Sequence, residues 1–160
     1  VANSGLINLD LTDYAPIKTI DEIDLKQFLF EGFILKEKEF RVALKDFDWT
    51  QYDSKIVAIN CSSDCIIPMW AFMLITSYLN NAASEIHFGT KNEVFQKHFL
   101  QNIDKIDATE FEGEKVIVKG CGHIPLTEDL YIAITKKLQN AVSSLMFGEA
   151  CSAVPVFKKK

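Results

Sequence analysis

The stretch KIVAINCSSDCIIPMWAFMLITSYLNNA (55–82) decides the fold. Its opening KIVAIN (55–60) is apolar and β-branched, with the length of a buried strand. IPMWAFMLITSYLNNA (67–82) is a long apolar segment whose Pro68 suits the first turn of a helix. The alternation continues downstream. EIHFG (85–89) reads as a strand closed by Gly89, and NEVFQKHFLQNID (92–104) as an amphipathic helix with Val94, Phe95, His98, Phe99 and Ile103 at helical spacing. KVIVKG (115–120) is a third β-rich run, and TEDLYIAITKKLQNAVSSLMF (127–147) a third helix with Thr127 as N-cap and Gly148 as stop. AVPVFK (153–158) supplies a last strand, which Pro155 confines to a sheet edge because it removes a ladder donor.

Strands alternating with helices imply crossover connections and a mostly parallel sheet covered on both faces. The expected class is α/β, a Rossmann-like three-layer α/β/α arrangement. The first residues differ in texture: FLFEGFIL and the helical EKEFRVALKDF (37–47) read as an N-terminal α+β extension packed on the sheet. The expected organisation is one α/β domain over 1–160, with the extension at 1–52 and the βα units at 53–160. No internal repeat beyond the βα alternation is legible.

Composition narrows the function classes. With 48% hydrophobic and 24% charged residues the chain is an ordinary globular sequence. The net charge is −5, and Arg41 is the single arginine, so the bidentate fork that reads phosphates and bases is nearly absent. Nucleic acid is not expected as a partner. No apolar run reaches the roughly 18 residues of a membrane span, and VANSGLINLD has neither a basic nor an apolar leader pattern. A cytoplasmic protein with reduced thiols and no membrane partner is expected.

Ligands of parallel α/β sheets bind beyond the carboxyl ends of the strands. Cys61 follows KIVAIN directly, and Cys121 follows KVIVKG directly, so the two thiols hold matching positions in two βα units. Near a helix N-terminus a thiolate is favoured for nucleophilic attack or metal binding. Cys61-x3-Cys65 with Cys121-x-His123 offers three thiolates and an imidazole to a tetrahedral zinc ion, and Asp64 is a substitute ligand or a cap for the next helix. If 127–147 is one straight helix it descends about 30 Å, leaving Cys151 at the opposite edge from Cys61 and Cys121. Other uses are a thiol-dependent redox enzyme, with Cys61 attacking and Cys65 or Cys121 resolving, or a homodimeric scaffold whose cysteines are buried fillers. GCGHIP (120–125) lacks the third glycine of a dinucleotide fingerprint, and no phosphatase-type arginine follows Cys61, where position 67 is Ile67. His87 and His98 fall within a strand and a helix and read as structural histidines.

INLDL, DLKQFLFEGFILKEKEFRVALKDFDWTQY, INCSSDCIIPMWAFML, VIVKGCGHIP and GEACSAVPVFK together resemble, over nearly the whole chain, the bacterial family catalogued as domain of unknown function 2480. That resemblance implies no assigned activity. It implies thiols at Cys61, Cys121 and Cys151 and an Ile-Ile-Pro-x-Trp run at Ile66 to Trp70; Cys65 and His123 depart from the family pattern, which puts the zinc set in doubt. It also implies a neighbourhood of iron–sulfur assembly proteins. The expectation is an accessory protein of iron–sulfur cluster assembly or metal handling, binding zinc or an iron–sulfur cluster through these thiols, with Asp64, a water or a partner completing the shell.

Overall fold

A computed structural model describes residues 5–120 and 122–160. In chain order its elements are β1 (Leu6–Asp10), β2 (Ile20–Asp24), α1 (Glu37–Asp46), β3 (Ile56–Asn60), α2 (Met69–Leu79), β4 (Glu85–Phe88), α3 (Lys91–Asp104), β5 (Lys115–Lys119), α4 (Glu128–Leu138), β6 (Ser144–Phe147) and β7 (Val154–Lys158). The chain is mixed α/β with two mostly parallel sheets, a Rossmann-like alternation.

Two compact units emerge, one from Ile17–Gln96 and the other from Val1–Pro16 with Lys97–Lys160. In the first, β2, β3 and β4 form a parallel sheet in that order. β3 is central and its first four residues are buried, which is why IVAIN reads as an unbroken apolar run. Ala71, Ile75 and Leu79 of α2 and Phe40 and Leu44 of α1 are fully buried in the same core as Val57. In the second, β1, β5 and β6 form the equivalent parallel sheet and β7 joins β6 antiparallel, with a register shift between Leu145 and Met146. Pro155 therefore lies on an edge strand, as its missing N–H requires.

The units are two copies of one plan. Ile56 and Lys115, Met69 and Glu128, and Glu85 and Ser144, the first residues of equivalent elements, are each 59 positions apart. The first strands, β1 and β2, are offset by 14 positions and keep the same register against their neighbours. Connecting hydrogen bonds recur with it: Ser54 N–H donates to Ala82 and Gly113 N–H to Ala141, and Thr76 Oγ1 donates to Phe72 while Thr135 Oγ1 donates to Tyr131. Even the short 3₁₀ turns share a device, an aspartate whose Oδ1 accepts the amide two residues on, at Asp10, Asp24, Asp48 and Asp107.

Three sequence expectations change, the first being the absence of an internal repeat, since the elements recur at a 59-residue offset whose sequence has diverged. The first fifty residues supply β1 and β2, strands of the sheets themselves, because β1 finds β5 and β2 finds β3 as parallel partners. The helix expected over 127–147 ends at Leu138, where Ala141 and Val142 N–H both donate to the Leu138 carbonyl, and the chain returns as β6 beside β5. Leu138, Val142 and Leu145 keep helical spacing, yet Leu145 is buried as the strand partner of Val116.

Candidate functional site

A cleft of about 640 Å³ opens in the Ile17–Gln96 unit. Its walls include Ile59, Phe72, Ile86 and Phe88, with Cys61 and Cys65 from the loop after β3. This is the carboxyl end of a parallel sheet, where strand-following loops leave room for a ligand.

The loop is held from both sides. Ser62 N–H donates to Asp24 Oδ1 at 3.0 Å, and the same oxygen accepts Lys26 N–H at 2.9 Å. Burial pushes the Asp24 carboxyl upward, but the bonds from the Ser62 side chain and amide and from the Lys26 amide outweigh it and hold the group below the usual carboxylate range. Within the loop, the Ser63 carbonyl accepts both the Cys65 amide at 2.9 Å and the Cys61 thiol at 3.7 Å.

Both thiols are free and half-buried. Burial pushes the Cys61 thiol up; the Ser63 backbone bond works the other way, while the Cys65 thiol, which also hydrogen-bonds Cys61, and the Asp24 charge push it further up. Cys61 is thus kept protonated in its resting state and is not an activated thiolate. Ser63 Oγ beside the pair is buried with no hydrogen-bond partner. His87 lines the same cleft and its Nε2 lies 3.2 Å from Glu85 Oε2.

Cys121 lies outside the described residues. Gly120 is the first residue after β5, as Cys61 is after β3, so the 59-residue correspondence aligns Cys61 with Gly120 and Ser62 with Cys121. A Cβ at Gly120 would run into Leu126 and come within 2.9 Å of the Tyr131 hydroxyl, so the space that a side chain takes at Cys61 is filled from elsewhere in the other unit. His123 is exposed in the loop between β5 and α4. Asp64 is exposed, and it does not cap α2, whose N-cap is Pro68 with no side-chain bond. Cys151 is exposed in a short turn after β6. Because the expected long helix breaks and β6 runs parallel to β5, Cys151 follows the carboxyl edge of that sheet, not the opposite one. Among the described residues no three His, Cys, Asp or Glu side chains converge on a metal-sized point.

A family model described as a protein of unknown function, DUF2480, matches residues 1–159. The chain belongs to the DUF2480 family. No curated protein and no solved structure matches it. For this DUF2480 chain, sequence reasoning singled out Cys61 and Cys65, passed over Asp24 and Ser63, and read His87 as a structural histidine of its strand, whereas it lines the cleft. The recurrence of INLDL and DEIDL was the available signal for Asp24, since the same Asp-Leu pair ends both first strands. Among the described residues no helix is long and apolar enough to cross a membrane.

Proposed function

We propose that Cys61 and Cys65 form a dithiol/disulfide couple that reduces a disulfide presented by an apolar segment in the cleft. The observation that carries this reading is that the Cys61 and Cys65 thiols hydrogen-bond each other on one loop at the wall of the cleft, where the Ser63 carbonyl accepts the Cys61 thiol and the Cys65 amide. A dithiol couple needs two sulfurs and no third donor, whereas a zinc or iron–sulfur centre at the same loop needs at least one more ligand, from Cys121 or from a partner.

The direction follows from the thiol environment. A couple is strongly oxidising when its thiolate is stabilised. Here burial works against the thiolate, which favours the disulfide and makes the dithiol an electron donor. Cys65 thiolate attacks one sulfur of the partner disulfide, forming a mixed disulfide and expelling one partner thiolate. Cys61, losing its proton, attacks the Cys65 sulfur, closes the Cys61–Cys65 bond and releases the second partner thiolate. Two electrons and two protons pass to the partner. Such a donor belongs in a reducing compartment, which fits the cytoplasmic setting expected from the sequence.

The test is equilibration with graded ratios of oxidised and reduced glutathione, followed by alkylation and peptide mass mapping. A Cys61–Cys65 disulfide is expected, with Cys61→Ser trapping a mixed disulfide on Cys65. Thiols that stay free even under fully oxidised glutathione would overturn the proposal. So would purified protein carrying stoichiometric zinc or iron that Cys61→Ser loses, an outcome that would restore metal handling as the function.

A further inference from the structure

Among the described residues Ser63 Oγ is the one buried side-chain nitrogen or oxygen with no hydrogen-bond partner. A hydroxyl in that position destabilises the fold, because it has left water without gaining a bond. Neighbouring hydroxyls are satisfied. Ser62 bonds Asp24 through both its amide and its side chain, and in α2 and the turns around it Thr76, Ser77 and Ser84 each donate to a backbone carbonyl. Ser63 keeps a buried O–H in reserve, and it does so at the wall of the thiol cleft.

The backbone of the same residue is engaged with both cysteines. Its carbonyl accepts the Cys61 thiol at 3.7 Å and the Cys65 amide at 2.9 Å. Once Cys61 has given up its proton it has none to offer that carbonyl. Its thiolate, in a half-buried place that disfavours charge, then gains most from a donor close by. The internal repeat supplies a comparison within the chain. At the 59-residue offset Cys61, Ser63 and Cys65 correspond to Gly120, Gly122 and Ile124. The unit without thiols at these positions also lacks the hydroxyl between them.

We propose that Ser63 is a catalytic residue of the dithiol couple, its hydroxyl turning to donate to the Cys61 sulfur in the step that closes the disulfide. This rests on the Cys61–Cys65 reading given above and adds to it the group that meets the charge. In that step Cys61 releases its proton to solvent, and its thiolate attacks the Cys65 sulfur of the mixed disulfide. The Cys61–Cys65 bond forms and the bond from Cys65 to the partner sulfur breaks. The partner thiolate leaves with the electron pair and is protonated from solvent. The partner disulfide is the oxidant, and the two cysteines are oxidised. The bond from Ser63 exists only while Cys61 is charged, so it lowers the barrier without stabilising the resting dithiol.

Quenched-flow reaction of the full chain with oxidised glutathione, read by mass spectrometry, tests it. In Ser63→Ala the mixed disulfide on Cys65 is expected to persist about tenfold longer than in the wild type. Ser63→Thr, which keeps the hydroxyl, is expected to close at nearly the wild-type rate. The melting temperature of Ser63→Ala is expected to equal or exceed that of the wild type, because an unpartnered buried hydroxyl is removed. A slower enzyme that is no less stable separates this role from a structural one. Iodoacetamide modification of Cys61 in a Cys65→Ser background gives a second readout that needs no disulfide. Adding Ser63→Ala is expected to slow it severalfold, the reverse of what a loosened loop produces. A mixed disulfide that resolves at the wild-type rate in Ser63→Ala, or Cys61 modification that is unchanged or faster, would overturn the role of Ser63 and leave the couple standing. Thiols that stay unbridged in the wild type would end the couple and this role together, a failure told apart by the missing bridge.

Discussion

Asp24 and Ser62 are 38 positions apart in the chain, and the Asp24 carboxylate accepts the Ser62 amide at 3.0 Å. One acid at the end of β2 therefore caps the turn that follows it and anchors the loop bearing both thiols. Asp24→Ala removes both bonds and is expected to cost about 1–2 kcal/mol in urea unfolding. It is also expected to speed alkylation of Cys61, because the loop loses its tether.

The same carboxylate gives a pH dependence with a fixed sign. Its folded-state pKa is lowered, so its stabilising contribution is complete above the ordinary carboxylate range near ~4 and is lost as the pH falls through the lowered folded value. Unfolding free energy measured between neutral and strongly acidic pH is expected to fall on the acid side, and Asp24→Asn to flatten that limb. An unchanged limb in the variant would refute this assignment.

Cys61 titrates in the opposite sense. Its thiol is pushed up, chiefly by burial, so the thiolate appears only as the pH passes the raised value. Iodoacetamide labelling followed by mass spectrometry is expected to modify exposed Cys151 before Cys61 at neutral pH. The Cys61 rate is expected to climb only in alkaline solution. Equal rates at neutral pH would contradict the buried environment.

The structural repeat makes a paired prediction. Phe40 and Phe99 are 59 positions apart and both fully buried, each in the core of its own unit. Phe40→Ala and Phe99→Ala are each expected to cost about 3–5 kcal/mol by loss of burial plus an unfilled cavity. Hydrogen exchange read by mass spectrometry is expected to show the loosening concentrated in the unit carrying the change.

Gly120 marks where the two units part. An added Cβ there meets the Leu126 side chain and the Tyr131 hydroxyl. Gly120→Ala is expected to destabilise by about 1–3 kcal/mol through overpacking. A second change, Leu126→Ala, is expected to recover part of that loss because it opens the space the methyl needs. Thermal melts of the single and double variants decide the point.

By itself the sequence determined what local patterns can specify. The apolar run of β3, the Pro68 entry to α2, the helical spacing of Phe99 and Ile103 in α3 and the edge position forced by Pro155 were all legible, because each rests on the period of a single element or on the covalent limits of one residue. The resemblance to DUF2480, carried by motifs over nearly the whole chain, was legible in the same way. Cys61 and Cys65 stood out because they share one loop.

Tertiary structure decided what depends on remote pairing. β1 and β2 are short, β2 is rich in acids, and only their ladders to β5 and β3 make them strands. Residues 144–147 keep helical spacing, yet they form β6 because pairing with β5 buries Leu145 better than one more helical turn can. The Asp24 anchor, the cleft shared by the thiols with His87, and the terminal place of β4 are likewise relations between segments far apart in the chain. The repeat was hidden for a related reason: burial conserves volume and position at a 59-residue offset, as in Leu44 and Ile103 or Tyr52 and Phe111, while it leaves residue identity free to change.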